Sequence, residues 1–149
     1  MSLRTVAEFA KVRGVRLAAR DKERIRVWLK DGVGKLNDSS IPQNTASTRL
    51  SAAYDAVLSA ALAVINAQGY RVDSSEGHHM IAIEILASSL GYSKLQHEEL
   101  QVVRESRNQR YDGLPPNEHQ VFEARAWAER VLKDVGQWFL DNQPQLLRS

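Results

Sequence analysis

The chain has 149 residues, of which 43% are hydrophobic and 26% charged, a length that suits one hydrophobic core and a composition too apolar for disorder. Its 20 Lys and Arg against 18 Asp and Glu leave a net charge of +2, so bulk charge gives no argument for nucleic-acid binding and any such contact belongs to a local cluster. The absence of Cys excludes disulfides, thiolate zinc sites and thiol catalysis, and suits a reducing compartment.

The N-terminus, Met1-Ser2-Leu3-Arg4, has no apolar core of the kind a signal peptide needs. No apolar run is read as reaching the roughly 18 residues of a membrane span, so a soluble, cytoplasmic protein without membrane contact is expected. Residues 6–36 read as one or two helices, since Phe9, Ala10, Leu17, Ile25, Trp28, Leu29 and Leu36 recur at helical spacings. Gly14 is a break point, Gly32 and Gly34 weaken the end, and Asn37-Asp38-Ser39-Ser40-Ile41-Pro42 is a loop. A second long helix follows, capped by Asn44, Ser47 or Thr48, with Leu50, Tyr54, Val57, Ala61, Val64 and Ile65 on one stripe until Gly69. Its small members Ala53, Ala60 and Ala61 let a neighbouring helix approach closely. Residues 69–75 form a connector, and Ser74 or Ser75 caps a helix with His79, Ala82, Ile83, Leu86 and Leu90 on one face, ended by Gly91.

The next helix spans residues 94–111 and stops at Asp112-Gly113-Leu114-Pro115-Pro116. Asn117 caps the last helix, with Glu118 in its first turn. Val121, Ala124, Ala128, Val131, Leu132, Val135 and Phe139 share one arc of it, and Asn142 and Pro144 end it. Strand-like alternation is nowhere sustained. The expected fold is all-α, an antiparallel up-down bundle of four to five helices. It forms a single domain over residues 1–149, with an N-terminal helical segment at 1–40 and a bundle core at 44–141.

On the helix over 94–111, steps of about 100° from Arg104 put Arg107 at about 300°, Asn108 at about 40°, Tyr111 at about 340° and Leu100 at about 320°. Two guanidinium groups, an amide and a phenol thus occupy the apolar stripe rather than the opposite face. Buried charges are costly unless paired or used, and paired guanidinium forks suit phosphate. Arg110 on the flank and Arg125 in the last helix can add charge to the same pocket. An internal salt-bridge network with Asp55, Glu84 or Glu105 is the alternative reading.

Arg107-Asn108 followed by Tyr111-Asp112-Gly113, before a long last helix, resembles the HEPN family of helical bundles. The segments Arg49-Leu50-Ser51-Ala52-Ala53-Tyr54-Asp55-Ala56, Gly69-Tyr70-Arg71-Val72 and Gly77-His78-His79 are similar to the same family, so the likeness covers residues 45–140. It implies a homodimer engaging RNA or nucleotide, in many members a metal-independent, toxin-type endoribonuclease of toxin-antitoxin or defence systems. In such members an Arg and its polar follower precede a His by about four to six residues, and the two copies form one cleft. Carried over, Arg107 and Asn108 take the Arg and follower positions and, with Tyr111, are the catalytic candidates; Arg104, Arg110 and Arg125, from their placement on the helix faces, are the phosphate or RNA ligands. The His is absent and Tyr111 stands nearest its place. A phenol, with a pKa near 10 against about 6.5, is a weaker proton carrier at neutral pH. Other members bind without cleaving, or pair with an antitoxin or with a nucleotidyltransferase that modifies a Tyr near the motif. The alternative function is therefore a non-catalytic interaction domain. No metal and no cofactor is implied.

The remaining candidates have structural readings. His78 and His79 diverge by about 100° and do not share an ion; His79 heads an apolar stripe and packs. His97 lies in an acidic stretch and is solvated, and His119 is an exposed first-turn residue. Trp28, Trp127 and Trp138 pack rather than stack bases. Arg13, Arg16, Arg20, Arg24 and Arg26 form a solvated face, with duplex DNA binding by that helix as a minor alternative.

Overall fold

The computed structural model describes residues 2–12, 14–73 and 77–148, with the backbone alone at Arg110. Among them run α1 (Val6–Val12), β1 (Val15–Leu17), α2 (Lys22–Asp38), α3 (Ala46–Ala67), β2 (Tyr70–Val72), α4 (His78–Ser89), α5 (Lys94–Asn108) and α6 (Glu118–Asn142). Short 3-10 turns follow α5 at Gln109–Asp112 and α6 at Pro144–Leu147. The fold is an all-α helical bundle.

The bundle forms around α3, against which α2, α4, α5 and α6 all pack. Its Ala53, Ala56, Ala60, Ala63 and Ala67 are fully buried, and these short side chains let neighbouring backbones come close. Gly32 of α2 belongs to the same device: a Cβ there would lie 3.1 Å from a Leu132 methyl and 3.4 Å from the Ala56 carbonyl oxygen. Against the reading of the sequence, α3 has the length and composition of a membrane span, 22 residues that include an 18-residue stretch of mean hydropathy 1.5. Its sides are taken up by the bundle, as befits the core helix of a layered fold.

The N-terminal stretch forms two helices, α1 and α2, with the break at Gly14, but the short strand β1 that lies between them was not expected. Gly14, at φ +92°, turns the chain out of α1 into β1. β1 pairs antiparallel with β2 in the register Val15↔Val72, Arg16↔Arg71, Leu17↔Tyr70. Three residues are too few for a period-2 pattern to stand out, so the ribbon comes from the pairing itself. Arg16 on β1 and Arg20 in the following loop therefore do not continue onto one helix with Arg24 and Arg26. Asn66 of α3 holds that loop: its Oδ1 accepts from the Asp21 backbone N–H at 2.8 Å, and its Nδ2 donates to the Ala19 carbonyl at 3.1 Å and the Tyr70 carbonyl at 3.4 Å.

Local chemistry sets the helix starts. Thr45, rather than Asn44, Ser47 or Thr48, caps α3 by accepting from the Thr48 N–H at 3.1 Å. Ser93 with Gln96, and Asn117 with Gln120, close reciprocal capping boxes on α5 and α6. The caps expected at Ser74 or Ser75 lie outside the described residues, as do Arg13 and the Arg110 side chain; Gly77 at φ +83° stands before α4. Arg49 donates to both Glu118 oxygens at 2.9 and 2.6 Å, tying the start of α6 to the start of α3.

Candidate functional site

The buried arc of α5 is set by Leu100 and Val103, at about 320° and 260° on the scale that puts Arg104 at zero. Arg107, at about 300°, falls between them, and Arg104 stands at the arc's edge. Helix geometry thus turns both guanidinium groups toward α3 and α4. The Arg104 side chain is 15% exposed, and its Nε donates to Gln101 Oε1 at 2.8 Å. A carboxylate oxygen of Glu105, largely in solvent, lies 3.8 Å from it. Arg107 Nε is buried without a hydrogen-bond partner among the described residues.

Tyr54, fully enclosed on α3, faces this pair. The Arg107 guanidinium carbon lies 5.4 Å from the Tyr54 ring centroid, within cation–π reach. Burial pushes the Tyr54 hydroxyl up to about 12, against the pull of Arg104 and Arg107, so the phenol is a neutral donor at pH 7. Its oxygen also has no hydrogen-bond partner among the described residues.

The third wall comes from α4. The His79 ring is 5.9 Å from Tyr54, centroid to centroid, and 4.4 Å from the His78 ring in an edge-on contact. Burial holds the His79 imidazole below its ordinary value, and His78, Arg107 and Arg104 push it the same way. Three helices therefore bring together a neutral imidazole, a neutral phenol and two guanidinium groups. Such a set can hold an anion by charge and by directed N–H and O–H donors. The spacing of the sequence makes His79 and Tyr54 packing residues; the available signal is a phenol in a stripe otherwise made of Ala, Val, Leu and Ile.

The other expected site residues divide. Asn108 is the half-buried last residue of α5, next to Arg107. Tyr111 lies past the point where α5 tightens into a 3-10 turn, so the 100° step no longer places it beside Arg107, and it is 71% exposed. Arg125 is engaged at the far end of α2, donating from Nε to Ser39 Oγ at 3.3 Å with Glu129 at 3.9 Å. Of the carboxylates in the alternative network, Glu84 is bound by Arg4, whose Nε donates to it at 3.1 Å. His97 is half-buried beside Gln101, not solvated, and burial lowers its imidazole. His119 is exposed with Glu123 at 3.7 Å. Trp127 packs on Tyr92 and Trp138 on Phe139, while Arg71 lies over Trp28 at 5.9 Å.

Comparison with family models, with curated proteins and with solved structures finds no match to this chain.

Proposed function

We propose that this chain is an HEPN-like bundle that binds RNA or nucleotide phosphate at the cluster of Arg104, Arg107 and Tyr54. Asn108 adjoins the cluster on the same helix, and the catalytic form of the proposal is metal-independent, toxin-type cleavage of RNA by a homodimer. The observation that carries the reading is a pair of unused donors. Arg107 Nε and the Tyr54 hydroxyl are both buried beside a second guanidinium, and neither meets an acceptor among the described residues. Buried polar atoms are nearly always paired, and an exception calls for an explanation, of which affinity for an acceptor is one. Phosphate supplies what is lacking, oxygen acceptors that carry negative charge, and RNA presents it at every nucleotide.

The test is binding of a single-stranded oligoribonucleotide, followed by fluorescence polarisation, together with its cleavage. Hydrogen bonds to charged groups contribute about 1.5–3 kcal/mol, so Arg107→Ala is expected to weaken binding by roughly ten- to a hundredfold. If that variant binds and cleaves like the parent, the proposal fails.

A second reading, a non-catalytic domain pairing with a protein such as a nucleotidyltransferase, draws on a different surface. Leu95 and Val102 on α5 and Phe122 on α6 are exposed, and Val102 and Trp127 line one groove. Exposed Tyr111 is then within reach of a modifying partner. This reading predicts a stoichiometric protein partner on copurification, no nucleotide released on denaturation, and a complex that survives Arg107→Ala.

A further inference from the structure

We propose that His79 is the protonatable member of this cluster, and that an RNA phosphate seated on Arg104 and Arg107 draws a solvent proton onto its imidazole, so that RNA is held more tightly as the solution becomes more acid. The inference rests on the phosphate-binding reading and adds a linked proton to it.

The geometry places imidazole and guanidinium around one phenol. His79 lies against Tyr54 at 5.9 Å, and Arg107 lies over the same ring at 5.4 Å. The charges that act on His79 are positive: His78 on its own helix, and Arg107 and Arg104 from α5. From α3 it meets Tyr54, whose phenol is neutral at pH 7. The strand β2 also packs on α4, but its Arg71 and its neighbour Asp73 line a separate pocket with Trp28 and His78. In the protein alone a proton on His79 is therefore opposed by burial and by the cations around it.

A phosphate on the two guanidinium groups reverses the sign of that field. It cancels part of the cationic push and adds a negative charge of its own, and an opposite charge within about 4–6 Å moves a titrating group by roughly one to three pH units. The imidazole then binds its proton more readily in the complex than in the free protein. By linkage, affinity is highest when His79 is protonated in both states. It falls as pH rises through the window between the free and bound midpoints, and is flat above the bound midpoint. The Tyr54 hydroxyl stays protonated throughout this range and contributes a donor without titrating.

The experiment uses the full chain and a decamer of 2′-O-methyluridine, which lacks the hydroxyl needed for self-cleavage and keeps its charge between pH 5 and 8. Dissociation constants are measured across that range at fixed ionic strength for the parent, His79→Gln and Arg107→Ala. The His79 imidazole resonance, identified by its loss in His79→Gln, is titrated with and without the oligonucleotide. The parent is expected to bind about tenfold more tightly at pH 5.5 than at pH 8. His79→Gln is expected to lose that acid-side gain, and the imidazole midpoint to rise on binding. If His79→Gln keeps the pH slope, or the midpoint stays put while RNA binds in an Arg107-dependent way, the role of His79 is overturned and the phosphate site stands. If the parent does not bind at any pH, or binds equally well as Arg107→Ala, both are overturned.

Discussion

Tyr54 carries a cost that the fold does not recover. Its hydroxyl is buried without a partner among the described residues, and a buried unsatisfied polar atom costs about 1–3 kcal/mol. Tyr54→Phe removes that atom and keeps the ring, its contact with His79 and its cation–π partner. The variant is expected to be more stable by about 1 kcal/mol, read as a rise of about 3 °C in Tm, while binding RNA more weakly. Gain of stability with loss of binding marks a residue kept for function. His79 gives the matching pH prediction. Its imidazole and that of His97 are held below their ordinary value in the folded protein, chiefly by burial, so the unfolded chain binds more protons once pH falls below about 6.5. The stability they contribute is complete above that pH and is lost as pH falls through the folded-state values. Urea titrations of the protein alone between pH 7.5 and 5 are expected to show a shallower decline for His79→Gln than for the parent, with His97 accounting for what remains.

Elements meet at small residues and at polar clamps. Gly14 holds φ +92°, and a Cβ there would lie 2.4 Å from Ile81 Cδ1 of α4. Gly14→Ala therefore forces both a left-handed backbone on a residue with a side chain and a displacement of Ile81, and is expected to cost about 1–3 kcal/mol in denaturant unfolding. Periodicity made the long helices and the stops at Gly91 and Pro115-Pro116 readable, since the spacing of Leu50, Tyr54 and Val57 is itself the pattern of a buried face. It missed the ribbon, because Val15 and Val72 pair across 57 residues of chain and no local signal records a partner that distant. It also carried α5 too far. Helix and 3-10 turn tolerate the same residues at Gln109 and Tyr111, and only the closing of the chain toward the Pro-Pro loop separates them.

At the scale of the molecule, Val6, Phe9, Val15 and Ile25 from the N-terminal stretch join residues of α3, α4, α5 and α6 in a contiguous apolar core. The stretch at 1–40 is thus part of the bundle that residues 44–141 were expected to form. Removing it uncovers the α2-facing side of α3 and leaves Asn66 without the Asp21 N–H and the Ala19 carbonyl. A fragment beginning at Ile41 is expected to lose cooperative thermal unfolding and near-ultraviolet circular dichroism, where an independent core would retain both.

From its own letters the chain settled that it is helical, roughly where the long helices lie, and that Arg104 and Arg107 turn inward on α5, because a period of 3.6 residues fixes which side chains share a face. The three-dimensional packing decided the rest: it brought Tyr54 and His79 to those guanidinium groups, left Tyr111 in solvent and Arg125 beside Ser39. A helix pattern states which way each side chain faces along its own axis; which residues of other helices it meets depends on crossing angle and axial offset, and these are fixed only when the faces close on one another.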